Sequence, residues 1–105
     1  MITAEFKGHK LSNGASAIAF YYPELSGGHD MLKDLKSQND PDKVDSKIIF
    51  IMYAAFRKAG DPEAREKTKE ELVDEIDVFD AKSMVEFNSI MNKLLSESSG
   101  TVKKG

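Results

Sequence analysis

The apolar positions of this chain concentrate in one uninterrupted run, from Ile48 to Phe56, within the stretch KIIFIMYAAFRK. On a helical wheel, one stripe of this run and its flanks predicts a core-facing side: Val44, Ile48, Ile51, Met52, Ala55 and Ala59. A second apolar stripe beside it consists of Ile49, Tyr53 and Phe56. Phe50 lies further round, beside Arg57, and three lysines lie broadly opposite the core stripe: Lys43, Lys47 and Lys58. The apolar arc spans about 200°, well beyond the ~100° that packing on one side requires.

Capping residues predict the ends of this central helix. Asp40 is the expected N-cap and Pro41 the expected first helical residue, because an Asp side chain accepts from free backbone N–H groups and proline lacks the N–H that would stay unpaired there. At the other end, Gly60 stands where a left-handed C-cap is expected. We therefore predict a helix over residues 41–59.

Two further helices are predicted in the C-terminal half, after a charged linker. Thr68 and Glu71 have the spacing of a capping box, which opens a short helix over residues 69–76. Asp80 is the expected N-cap of a final helix over residues 81–96. Along this last helix the apolar residues recur at spacings of three and four: Met84, Phe87, Met91 and Leu94. Phe79 and Met84 are expected to pack together as a hydrophobic staple across its start.

The N-terminal part of the chain is less regular. Residues 1–14 alternate loosely between apolar and polar positions, which is compatible with a short hairpin. Residues 15–22 fit either a buried helix or a strand. Pro23 is expected to end that element, because the residue before a proline avoids the helical conformation. Asp30 is a candidate N-cap for a short helix that follows.

Together these elements predict a mainly α protein: one small helical domain over residues 1–96, with room for an N-terminal β-hairpin, and a flexible polar tail over residues 97–105. The length of 105 residues suits one domain. The net charge is −3 with acids and bases interspersed, which disfavours nucleic-acid binding. No apolar run is long enough to cross a membrane, and the first residues lack the layout of a signal peptide. We therefore expect a cytoplasmic protein.

The sequence contains no recognisable catalytic or metal-binding motif. There is no cysteine, and the histidines, His9 and His29, each follow a glycine with no second ligand at a suitable spacing. The acidic residues between Glu70 and Asp80 lack the spacing and central glycine of a calcium loop. We therefore expect no enzyme activity, no cofactor and no metal.

The surplus of aromatic residues has two interpretations. Either the central helix is sandwiched between other elements and all of its apolar residues are core, or some of them form a surface for a partner. The choice is open for Ile49 and Phe56, whereas Phe50 and Tyr53 border charged positions and favour the surface. At least one residue of the adjacent group Phe20, Tyr21 and Tyr22 should face outward. The predicted partner-binding residues are Phe20, Tyr21, Tyr22, Ile49, Phe50, Tyr53 and Phe56.

The order of these features is similar to that of the small tail assembly chaperones of long-tailed phages, especially siphophages of Gram-positive hosts. The resemblance depends on a Lys-Gly turn near the start, an aromatic patch, an apolar helix ending in AAFRKAGD, and a charged linker followed by TKEELVDEID and an amphipathic helix. The stretches 48–61 and 68–77 carry most of it. The segment ASAIAFYYPELSGG departs from the family pattern.

The resemblance implies a helper protein that acts in the cytoplasm of the infected host and is absent from the mature virion. Such chaperones bind the hydrophobic helical segments of the tape measure protein and keep it soluble during tail assembly, often as several copies. We therefore expect homo-oligomers. The alternative is a small structural phage protein, such as a head–tail completion or connector subunit, which would also be helical, acidic and oligomeric.

Overall fold

A computed structural model describes residues 1–38, 42 and 45–98 of the chain. Two strands come first: β1 Thr3–Phe6 and β2 His9–Ser12. A π-helical turn, Ala17–Tyr21, then runs directly into α1 Tyr22–Ser26. The remaining elements are α2 Met31–Ser37, α3 Ser46–Gly60, a 3₁₀ turn Pro62–Glu66, α4 Lys69–Val73, a 3₁₀ turn Asp74–Ile76, and α5 Ala81–Ser98. The prediction of a mainly α domain with an N-terminal hairpin is confirmed.

The hairpin turn places both of its central residues at positive φ, which glycine adopts freely and lysine adopts at a modest cost. Lys7 and Gly8 connect the strands with φ values of 54° and 83°, the pattern of a two-residue turn that matches the strand twist. β1 and β2 pair antiparallel, with Phe6 opposite His9. Two strands alone are marginal in water, so the hairpin depends on its packing against α3 and α5.

Residues 15–22 are helical, which settles the alternative left open by their pattern. Tyr22 has helical backbone angles although Pro23 follows it, so the expectation that the proline ends this element is wrong. The chain widens into a π-turn just before the proline, with the Tyr22 N–H donating to the Ala17 carbonyl. Pro23 then occupies the first turn of α1, where its missing N–H costs little.

The central helix α3 begins later than its pattern predicted. Asp45 is its N-cap: the backbone there is extended, and the side chain accepts from the Lys47 N–H at 2.9 Å. The predicted start at Asp40 and Pro41 lies outside the described residues. Other local signals are confirmed: Asp30 caps α2, and the Thr68 capping box opens α4.

Gly60 ends α3 for a different reason from the predicted one. It is the last helical residue and has no left-handed conformation; the helix is followed by extended Asp61. A Cβ on Gly60 would lie 2.5 Å from the Leu11 carbonyl carbon and 2.7 Å from the Ser12 nitrogen. The glycine is therefore required because the end of α3 presses directly against the backbone of β2.

The main hydrophobic core lies around α3, which contacts β2, the 17–26 segment and α4, and a smaller cluster consists of Ala54, Ala64 and Leu72. The fully buried large side chains of the main core are Phe6, Leu11, Tyr22, Met31, Met52, Tyr53, Phe56, Ile76, Phe87 and Leu94. α5 closes the remaining side by contacting β1, and Asn13 joins them: its Nδ2 donates to the Leu94 carbonyl while its Oδ1 accepts from the Ile2 N–H. α5 also continues two residues into the segment predicted as a flexible tail.

Candidate binding surface

The structure divides the seven predicted partner-binding residues into three groups. Tyr22, Tyr53 and Phe56 are fully buried. Tyr21, Ile49 and Phe50 are half-buried. Phe20 is 70 % exposed, which agrees with the expectation that at least one residue of its group faces outward.

Tyr53 is a core residue, so its predicted surface position is wrong. Its ring packs against Phe6 and Phe87, with centroid separations of 5.8 and 5.7 Å. Its hydroxyl donates to Glu75 Oε1 at 2.8 Å. Burial, reinforced by that hydrogen bond and by the Glu75 charge, raises the pKa of Tyr53 well above its usual value. Tyr53 is therefore unavailable to a partner.

Tyr22 and Phe56 are also part of the core. The Tyr22 hydroxyl donates to Asp34 Oδ2 at 2.5 Å, which links the 17–26 segment to α2, and burial raises the pKa of Tyr22. Phe56 lies in the main hydrophobic cluster. The sandwiched-helix interpretation is correct for Phe56 and for the whole of residues 51–58, which are buried on every side of α3.

Even the basic end of α3 is buried. Lys58, predicted to lie opposite the core, is 7 % exposed, and its Nζ donates to the Arg65 carbonyl while Arg65 Nε donates to the Lys58 carbonyl. Arg57 is 2 % exposed. Its guanidinium donates to Glu75, to the Lys10 carbonyl and to Asp61. This network connects α3 to β2 and to the 3₁₀ turn after α4, so these charges stabilise the fold and are not free for a ligand.

An accessible apolar surface lies at the other end of α3, around Phe50. A cleft of about 490 Å³ is lined by Asp45, Ser46, Lys47, Phe50, Ile51, Lys69, Glu70, Val73 and Asp74. A second cleft of about 390 Å³ is lined by Phe50, Val73, Asp74, Asp77, Val78 and Phe79. Phe50, Val73 and Asp74 line both clefts, so we treat the two as one feature and call it the Phe50 groove.

Phe79 is the most exposed large apolar residue of the groove. It is 98 % exposed and its neighbour Val78 is 45 % exposed. The predicted staple between Phe79 and Met84 is therefore absent. Asp77 adopts a left-handed conformation, with φ of 55°, and ends the helical segment before Val78, so the chain changes direction there. Asp80 still caps α5 through the Lys82 N–H.

The sequence interpretation missed Val73, Val78 and Phe79 as surface residues. The available signal was local: Val78 and Phe79 form an apolar pair with Asp77 and Asp80 on either side, between two predicted helices. Such a pair is either a staple or an exposed anchor, and the helical pattern alone favoured the staple.

A second, smaller apolar area lies on different elements. Leu32 is 44 % exposed, and it lines a cleft of about 410 Å³ together with Ile18, Ala19, Pro23, Gly28, His29 and Asp30. Phe20, on the adjacent helical turn, is exposed and does not line this cleft.

Both histidines contact carboxylates of neighbouring elements. His29 Nδ1 lies 2.9 Å from Asp34 Oδ2, and His9 Nδ1 lies 3.8 Å from Glu75 Oε2. Within the described residues, no cluster of three or more potential ligand side chains could hold a metal ion. Nor does any helix in the described part of the chain have the length and apolar character needed to cross a membrane.

Comparison with protein-family models, with curated proteins and with solved structures finds no match to this chain.

Proposed function

We propose that this chain is a non-catalytic binding protein that holds an apolar helical segment of another protein in the Phe50 groove. The observation that carries the proposal is the position of Phe79, which is almost wholly exposed at a groove whose walls also include Phe50, Val73 and Val78. An exposed phenylalanine side chain forgoes about 1.5–3 kcal/mol of burial, which a partner can recover. Aromatic side chains of this kind dominate binding in apolar grooves.

We further propose that the biological role is that of a phage tail assembly chaperone. The client is then the tape measure protein, whose hydrophobic helical segments must stay soluble until the tail tube encloses them. Support comes from the position of the two stretches that carry the family resemblance. Residues 48–61 supply Phe50 and Ile51 to the groove, and residues 68–77 supply Val73 and Asp74. The protein acts in the host cytoplasm in this proposal, self-associates when its client is absent, and is not retained in the virion.

Co-expression with a candidate tape measure protein tests this role. We expect the tape measure protein to remain in the soluble fraction and to be recovered with the tagged chain. The Phe79→Ser variant should lose most of this effect while it melts at the parental temperature. Phe20→Ser is the matched control, because it removes another exposed phenylalanine that lies outside the groove. A client that stays soluble with Phe79→Ser but precipitates with Phe20→Ser would contradict the assignment to the groove.

The second candidate function is a small structural phage protein, and one observation favours it. The apolar cleft around Leu32 lies on different elements from the Phe50 groove. Two separate apolar surfaces suit a subunit that joins neighbours on both sides, as head–tail completion and connector proteins do. Stoichiometric presence of the chain in purified particles would support this alternative and exclude the chaperone role.

A further inference from the structure

The Phe50 groove has a chemical character that specifies its occupant more narrowly. Its floor is apolar along both clefts, from Ile51 and Phe50 at the start of α3 to Val78 and Phe79 beyond α4. Its lining contains no residue of β1 or β2. Addition of an extended strand requires the free edge of a sheet, which this groove does not offer. The lining therefore disfavours an extended strand, whereas an α-helix satisfies its own backbone hydrogen bonds and needs no sheet edge.

The charges that line the groove are mainly acidic. The lining contains four carboxylates, those of Asp45, Glu70, Asp74 and Asp77, and two lysines, Lys47 and Lys69. Lys69 Nζ is already directed to the Leu25 carbonyl at 3.4 Å. Among the described residues, the carboxylates in salt-bridge contact with an arginine or histidine nitrogen belong to Asp34, Asp61 and Glu75, and none of these lines the groove. The lining of the groove consequently carries more negative than positive charge, next to apolar surface.

We propose that the occupant of the Phe50 groove is a basic amphipathic helix. Its apolar side chains, at spacings of three and four, contact Phe50, Val73 and Phe79. Its Lys or Arg side chains, on the flanks of that stripe, reach Glu70, Asp74 and Asp77. This inference rests on the proposed function and adds a rule of selection among apolar helices: segments with basic flanks bind, and segments with acidic flanks are rejected by like-charge repulsion.

Two synthetic helical peptides provide the test. Both carry the same leucine stripe over about 18 residues, or roughly 27 Å of helix. One has lysines on both flanks of the stripe, and the other has glutamates at the same positions. Binding of each fluorescently labelled peptide to the full chain is measured by anisotropy. We expect the lysine peptide to bind roughly tenfold more tightly at about 0.02 M salt, since several exposed charge pairs each contribute a small factor. The preference should shrink at about 0.5 M salt, where charges are screened.

Variants of the groove separate its charge from its apolar floor. Glu70→Lys with Asp74→Lys should reverse the preference between the peptides, whereas Phe79→Ser should weaken both. The control is Glu24→Lys with Glu86→Lys, which changes the net charge equally at exposed positions outside the groove and should leave the preference in place. If the charge-reversed variant does not fold, Asp74→Asn should still reduce the preference by about two- to threefold.

The outcomes distinguish this inference from the proposed function. If the chain binds the two peptides with equal affinity and the Phe79→Ser variant binds neither, selection by charge is wrong, and the groove accepts apolar helices regardless of their charge. If neither peptide binds while the chain still keeps its client soluble, the groove is not the docking site. If sedimentation shows that Phe79→Ser converts an oligomer to a monomer and neither peptide competes with that oligomer, the occupant is a second copy of the chain and the inference is wrong. Tight, charge-selective peptide binding without any effect on the tape measure protein sustains the inference and overturns the chaperone role.

Discussion

Replacing Glu75 with glutamine removes one charge from the polar network that joins three parts of the fold. The Glu75 carboxylate accepts from Arg57 Nε at 2.7 Å, from a terminal Arg57 nitrogen at 3.1 Å, and from the Tyr53 hydroxyl at 2.8 Å. The side chains of Arg57 and Glu75 are 3 % and 11 % exposed, respectively. In the Glu75→Gln variant the shape is kept, but the guanidinium loses its best counter-ion.

The size of the loss follows from what remains around Arg57. Removal of one partner from a fully buried ion pair costs about 3–5 kcal/mol, because the other charge stays buried and uncompensated. Here Asp61 lies 3.2 Å from the guanidinium and the Lys10 carbonyl accepts at 2.8 Å, so part of the compensation is retained. We therefore expect the free energy of unfolding to fall by roughly 2–4 kcal/mol, a large part of the 5–15 kcal/mol typical of a small domain.

Urea denaturation followed by far-UV circular dichroism measures this difference, and its pH dependence identifies the cause. Burial alone disfavours the Glu75 carboxylate, but the hydrogen bonds from Arg57 and Tyr53 and the Arg57 charge outweigh it, so the pKa of Glu75 lies below its usual value. The stability from this carboxylate is fully present above the unfolded-state pKa, about 4.3 for a glutamate, and is lost as the pH falls through the lower folded-state pKa. The difference in free energy of unfolding between parent and variant should therefore reach its full size at pH 7 and become smaller at acidic pH.

The control is Asp61→Asn, which removes the more exposed partner of Arg57. Asparagine is as good an N-cap as aspartate, so the hydrogen bond to the Glu63 N–H that opens the following 3₁₀ turn is retained. This change should cost less than about 1 kcal/mol. The reasoning fails if Glu75→Gln costs no more than Asp61→Asn, or if its effect is the same at pH 7 and at pH values below the folded-state pKa.

Two further predictions concern packing. Gly60→Ala should destabilise the protein by about 1–3 kcal/mol in thermal or urea unfolding, although alanine favours helices, because the new Cβ meets the backbone of β2. Gly14→Ala is the control and should change the free energy of unfolding by less than about 0.5 kcal/mol, because its Cβ would meet only side-chain atoms that can move. Equal destabilisation by the two substitutions would show that the predicted clash at Gly60 is wrong. Phe79→Ser should shift the free energy of unfolding by less than about 0.5 kcal/mol, whereas Phe87→Ser, in the core, should lower it by roughly 3–5 kcal/mol. If calorimetry shows that Phe79→Ser melts far below the parent, Phe79 belongs to the core.

Much of the fold follows from sequence because its signals act between near neighbours. The Thr68 capping box joins residues three positions apart, and the Asp30 side chain caps α2 by accepting hydrogen bonds from the Leu32 and Lys33 N–H groups. The Lys7-Gly8 turn is equally local. Such interactions depend mainly on residues close together in the sequence, so the mainly α fold with an N-terminal hairpin could be predicted from residue patterns, although packing against α3 and α5 stabilises the hairpin.

The candidate site could be predicted only in part. Phe20 is exposed and Phe50 is half-buried, whereas Tyr53 and Phe56 are core. A helical wheel gives the angle of each side chain around the helix axis. It does not give the number of neighbouring elements that cover the helix, which depends on contacts between residues far apart in the chain.

The tertiary structure also decided the roles of Gly60, Arg57 and Phe79. Gly60 resembles a helix cap in sequence, yet its function is the close approach of α3 to β2, about 50 positions earlier in the chain. Arg57 resembles a surface residue in the last turn, yet Glu75 and Lys10 surround it. The position of Phe79 predicts a hydrophobic staple with Met84, yet the chain turns at Asp77 and the Phe79 side chain is left exposed. In each case local sequence fixes the conformational preference of the residue, whereas distant elements determine whether its side chain is covered, paired or left in water.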